Sequence, residues 1–132
     1  MFKILWLMKR KPGTSMQDLI DYYEGTHAVL GTEFWKTTKL APKKYMRRYL
    51  HPAQAVLTPA AEPGVEPGAE APYDVATEMW FDRREDFDMF MAAGTTQAAM
   101  KLFIDDELRF LDRETTVTFI LEEHETDLCA IG

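Results

Sequence analysis

The sequence predicts one small α+β domain with the ferredoxin-like order β-α-β-β-α-β and an antiparallel sheet. Three observations predict it. The first apolar segment has a period of two and is apolar on both faces. Two segments with a helical period follow strands rather than one another. The remaining apolar runs are short, alternating and bounded by turn residues. A chain of 132 residues, 46% hydrophobic and 28% charged, suits a single domain with a packed core, spanning 1–132.

Residues 2–9, FKILWLMK, read as the first strand. Phe2, Ile4, Trp6 and Met8 share one face, and Leu5 and Leu7 the other, so both faces need cover. A helix supplies one cover, and a second subunit is the natural candidate for the other. The same segment is a poor secretory signal, because its basic residues follow the apolar stretch and no small-residue cleavage site comes next. The turn KPGT comes next. Thr14 with Gln17, or Ser15 with Asp18, offers a capping box for the first helix. Met16, Leu19, Ile20, Tyr23, His27 and Leu30 form its apolar stripe, and Gly31 is placed as its C-terminal cap.

Residues 32–42 read as a connection, and Lys43–His51 as the second strand, with Tyr45, Arg47, Tyr49 and His51 on one face. From about 52 to 72 the sequence holds five of the seven prolines and no period, and it reads as a flexible Pro/Ala/Gly/Glu-rich insertion, either a lid or a tolerated surface loop. Order resumes at Tyr73 with a third strand carrying Val75, Thr77, Met79 and Phe81. Asp82 and Glu85 suggest a cap for a short helix that ends at Gly94. Thr95 or Thr96 restarts a helix with Met100, Phe103, Ile104, Leu108 and Leu111 as its stripe. The last strand is TTVTFILEE, with Val117, Phe119 and Leu121 on one face.

The net charge of −7 disfavours nucleic acid, and no apolar run reaches the roughly 20 residues of a membrane span. The basic run from Lys36 to Arg48 reads as a solvated strand edge or as a patch that steers a small anion. A lone cysteine, Cys129, and no CxxC suggest a reducing, cytoplasmic setting. His27, His51 and His124 have no metal-ligand spacing, so no metal is expected. The run Asp105, Asp106, Glu107 reads as a solvated helix face.

His27 is the candidate catalytic residue, because an imidazole on an apolar stripe faces the sheet and titrates near neutrality. Tyr23 lies one turn earlier on the same face and can orient a substrate oxygen. Tyr49 and His51 are candidates for the opposite wall, and Trp6 and Trp80 for apolar walls of a site for a flat molecule. The plainer alternative is a histidine that bonds a backbone group near a helix end, among ordinary core aromatics.

The stretch LMKRKPGTSMQDLIDYYEGTHAVL resembles the EthD family. In that family a first strand ends in a Lys/Arg-Pro-Gly turn, here Lys11-Pro12-Gly13. The helix that follows carries an aromatic pair, here Tyr22-Tyr23, and then a histidine with small and aliphatic residues, here His27 to Leu30. RRYLH, EMWFDRREDFDMF and DDELRFLD are similar to later family segments. Val29 stands where proline is usual, and Tyr23 where tryptophan is frequent. The resemblance implies a homodimeric α+β barrel with no built-in metal or organic cofactor. It implies a cofactor-independent enzyme of secondary or catabolic metabolism, acting on a small aromatic, lactone or polyketide-like substrate by His-mediated proton transfer. Related activities are those of lyases, cyclases, isomerases and monooxygenases. The alternative is a non-catalytic ligand-binding or accessory dimeric protein on the same fold.

Overall fold

The structure is a computed structural model and describes residues 1–53 and 71–132. The insertion expected at about 52–72 falls mostly outside the described residues. The elements are β1 (Phe2–Arg10), α1 (Met16–Tyr22), a π-helical turn (Tyr23–His27), α2 (Ala28–Thr38), β2 (Lys44–Tyr49), β3 (Val75–Phe81), α3 (Arg84–Gly94), α4 (Gln97–Glu107), β4 (Leu111–Ile120) and a short 3-10 turn (Leu128–Ile131). The four strands form an antiparallel sheet in the order β2-β3-β1-β4, the ferredoxin-like arrangement that the element order predicts.

Local chemistry sets most boundaries. Lys11-Pro12-Gly13-Thr14 closes a turn with the Thr14 N–H donating to Lys11 O at 3.0 Å, and Gly13 takes φ 85°. That conformation is strained for residues with a Cβ, so the Pro-Gly pair fits it. Ser15, one of the two candidate caps, accepts from the Asp18 N–H. Thr96 does the same for the Ala99 N–H at the start of α4. At α3 the expected Asp82–Glu85 box does not form. Arg83 occupies the cap position and makes no side-chain capping bond.

The first helical rod is longer than the periodicity suggests. Residues 32–38, expected in a connection, are helical, and the rod ends where Lys39 turns left-handed at φ 60° and returns its N–H to Trp35 O. Gly31 therefore does not cap the rod. It packs beneath the Trp35 indole, where a Cβ would meet the ring at 3.5 Å. The π turn explains why a simple stripe misled. It inserts an extra residue, so the buried positions run Leu19, Tyr23, Ala28, Gly31 and Trp35 rather than continuing through Leu30.

At the other end, β4 begins at Leu111, earlier than expected, and Leu108 of the expected stripe is about half exposed. A register shift between Leu7 and Lys9 accommodates the early start. The helices pack on the face that carries Ile4, Trp6 and Met8 of β1, and the core forms two clusters there. One gathers Met8, Leu19, Tyr23, Val75, Phe110 and Leu111, and the other Ile4, Trp35, Met79, Phe81 and Phe87. Trp6 and Tyr45 pack against both clusters. On the opposite face lie Leu5, Leu7, Val117 and Phe119, with Phe119 49% exposed.

Candidate active site

Between the two core clusters lies a cavity of about 450 Å³. Its floor is the sheet, through Trp6, Met8, Tyr45, Thr77 and Met79. Tyr23, His27, Phe34 and Trp35 of the first helical rod form one wall. Phe90, Met91, Met100 and Phe103 of α3 and α4 form another, and Arg113, Thr116 and Thr118 of β4 complete the rim. The size and the mainly apolar lining suit a small organic molecule. A more open hollow of about 540 Å³ lies on the outer side of the rod among Gly25, Val29, Leu102 and Arg109. Its carboxylates are Glu33, Asp105 and Asp106, and neither His27 nor Tyr23 lines it, so the imidazole and the Tyr23 phenol belong to the inner cavity.

His27 closes the π turn, and its side chain is 13% exposed. Its Nδ1 lies 2.8 Å from Oδ2 of Asp106, whose side chain is 7% exposed. A carboxylate only accepts hydrogen bonds, so Nδ1 carries the proton and the other ring nitrogen, Nε2, is the one available to a ligand. Tyr22 donates to the second oxygen of Asp106 at 2.6 Å, and Arg109 lies 3.7 Å from that same oxygen. The acid is thereby fixed from behind. Nε2 is 3.9 Å from Oε1 of Glu107, another cavity residue, and Arg113 grips the other Glu107 oxygen at 2.6 Å. Phe110 supports the imidazole at a ring distance of 5.1 Å.

The adjacent tyrosines separate. Tyr22 reaches backward to Asp106, whereas Tyr23 reaches the cavity floor. There the Tyr23 hydroxyl lies 2.6 Å from the Thr77 hydroxyl and accepts from Tyr45 at 3.3 Å. Burial pushes both Tyr23 and Tyr45 above the usual phenol value of 10.0, so both stay protonated hydrogen-bonding groups near neutrality. Burial also raises Tyr22, and its bond to Asp106 adds to the effect.

Trp6, Tyr23 and His27 come together in this cavity. Tyr49, His51 and Trp80 are not brought there. Tyr49 sits on the helix-covered face, but its hydroxyl donates to Glu24 of the π turn, which Arg47 also holds through two hydrogen bonds. The Arg47 bonds carry the Glu24 carboxyl below its usual value despite some burial. His51 lies exposed beyond the end of β2. Trp80 pairs with Lys3 and Lys44, which places it on the other face of the sheet. There Lys3 and Lys44 lie 3.7 and 4.4 Å from its ring centre, and its indole N–H donates to Glu78.

Asp106 and Glu107 are the residues that sequence reasoning missed, since the acidic run reads as a solvated face. Asp106 is instead buried. A signal was present: Ala99, Phe103, Asp106 and Phe110 are spaced as one helical stripe, so the acid occupies a core-facing position. Among the described residues, no group of three or more His, Cys, Asp or Glu side chains is arranged to hold a metal ion. No helix among them is long and apolar enough to cross a membrane.

Comparison with solved structures gives the same fold. A crystal structure of a protein from Arabidopsis thaliana matches at TM-score 0.54 and 15% identity, over 97% of this chain and all of the other. The crystal structure of an ethyl tert-butyl ether D (EthD) family protein from Bacillus halodurans matches at TM-score 0.53 and 20% identity, over 94% of this chain and all of the other. No curated protein matches in sequence. The EthD domain model matches residues 11–114, a span that takes in the Pro-Gly turn, His27, Asp106 and Glu107. The chain belongs to the EthD family.

Proposed function

We propose that this protein is a cofactor-independent acid–base enzyme acting on a small aromatic, lactone or polyketide-like molecule in the cavity between helices and sheet. The observation that supports it most is the His27–Asp106 pair. A buried carboxylate holds Nδ1, so the imidazole keeps one orientation and offers Nε2 to whatever occupies the cavity. Neutral, Nε2 takes a proton from a substrate O–H or C–H; protonated, it returns one. Tyr23 and Tyr45 supply hydroxyls that can orient a substrate oxygen, and Trp6 and Trp35 supply flat apolar surface. The apolar patch of Leu5, Leu7, Val117 and Phe119 on the open sheet face is read as the seat of a second copy in a homodimer.

A panel of aryl ketones, aromatic lactones and resorcinol-type polyketide mimics tests this reading. Those that fit should raise the melting temperature, and at least one should be converted. His27→Gln should slow conversion by about 100-fold or more with the ligand-induced melting shift retained. Full rate in that variant sinks the proton-transfer reading. Stabilisation without conversion by any member supports a ligand-binding protein instead. Light scattering tests the dimer, and a monomer at micromolar concentration overturns it.

A further inference from the structure

We infer that Glu107 is a second proton-handling group of the cavity, paired with His27 across the reacting atoms of an enolisable aryl ketone; the inference rests on the proposed role of His27. Among the described residues that line the cavity, Glu107 is the one carboxylate and Arg113 the one guanidinium. Their ion pair at 2.6 Å ties down Oε2 and leaves Oε1 toward the imidazole. The gap from Oε1 to Nε2 is 3.9 Å. That is too long for a direct hydrogen bond, and it puts both groups within reach of adjacent atoms of one molecule bound beside them. Asp106 occupies Nδ1, so this gap is where the ring's other nitrogen meets a ligand. The Glu107–Arg113 pair is neutral as a unit and the walls are rich in aromatic rings, which favours an uncharged aromatic ligand over an ionic one.

The step balances without a co-reactant. Glu107 Oε1 takes the α-hydrogen as the C–H bond breaks. The released pair forms the enol double bond, and the carbonyl oxygen takes the proton from Nε2–H of the His27 imidazolium. Reversal returns both protons, so in heavy water the α-hydrogens exchange for deuterium. Arg113 acts as a positioning residue for the carboxylate.

Acetophenone in heavy water, followed by loss of its methyl proton signal, tests the assignment. The wild-type protein should exchange it faster than buffer does. Glu107→Gln should slow the enzymatic exchange at least about tenfold with the acetophenone-induced melting shift retained, and Glu107→Asp should restore part of the rate. Full rate in Glu107→Gln with a slow His27→Gln overturns the inference and leaves the His27 reading standing. Full rate in His27→Gln removes that reading itself, and no exchange by the wild type overturns the aryl-ketone class. Should Glu107→Gln fail to fold, Arg113→Gln substitutes: a severalfold loss supports the anchored carboxylate, and an unchanged rate overturns it.

Discussion

The two faces of one sheet handle their polar groups in different ways. On the helix-covered face, Thr77 and Tyr45 are hydroxyls among apolar side chains, and each bonds the Tyr23 phenol that projects down from the helix. The charged groups there are held in partnerships: Asp106 of α4 by Tyr22 and His27, Glu107 of α4 by Arg113 of β4, and Glu24 of the π turn by Arg47 of β2. On the open face the sheet itself carries the charge. Lys3, Lys44 and Glu78 contact Trp80, and Arg48 pairs with Glu78. Polar groups buried under the helices must be satisfied internally, because water does not reach them. An open face leaves Arg48 and Lys44 in contact with solvent, where an ion pair contributes little. The same strands thus carry a preorganised site on one side and a solvated network on the other.

The largest expected contrast between the faces is in packing. Phe110→Ala, at a fully buried ring touching Tyr22, Tyr23 and His27, should cost about 4 kcal/mol by urea unfolding. Phe119→Ala on the open face should cost less than about 1 kcal/mol in a dilute monomer, because its ring is 49% exposed. If a second copy covers that face, the loss becomes concentration-dependent, which sharpens the comparison into a test of association.

Buried charge gives the next contrast. Asp106→Asn removes the charge and turns one of the two oxygens that serve His27 and Tyr22 into an NH2 donor, and should destabilise by about 2–3 kcal/mol. Lys44→Gln on the open face takes an exposed cation off the Trp80 ring and should cost about 1 kcal/mol or less. Equal losses at the two sites would break the comparison.

The smallest effect is in pH. Tyr23, Tyr45 and Tyr49 all stand above the ordinary value of 10.0, with burial the main cause. The folded state therefore keeps protons above about pH 10 that the unfolded chain releases. The stabilisation is complete below that pH and is lost as pH rises through the folded values. Denaturation midpoints should fall between about pH 9 and about pH 11, and Tyr45→Phe should flatten the decline. Glu24 behaves oppositely at the acid end. Its lowered carboxyl contributes stability above its unfolded value of 4.5, and that contribution is lost as pH falls through the folded value.

His27 and Asp106 show how far a sequence can be read. Both interrupt apolar helical stripes, yet only His27 stands apart from residues of its own kind. Asp106 was hidden by acidic neighbours at 105 and 107, which mimic a solvated face. Trp6 and Trp80 are equivalent as candidate walls in the sequence, and strand register puts them on opposite faces, a consequence of the two-residue period of a strand.

The sequence by itself determined the element order, the two-sided first strand, the Pro-Gly turn, the pairs of candidate caps at Thr14 or Ser15 and Thr95 or Thr96, and the place of His27 on the first helix. These depend on nearest neighbours along the chain and on local periodicity. Only the tertiary structure decided that the first helical rod runs to Thr38, that a π turn re-phases it, that Asp106 is buried against His27, and that Glu107 faces the ring's other nitrogen. The last two of those outcomes join residues about 80 positions apart, as the separation of 79 between His27 and Asp106 records. Local propensity carries no information at that range. Packing α4 against β4 and the first rod sets the pairing, because a buried imidazole and a buried carboxylate each lower the cost of the other.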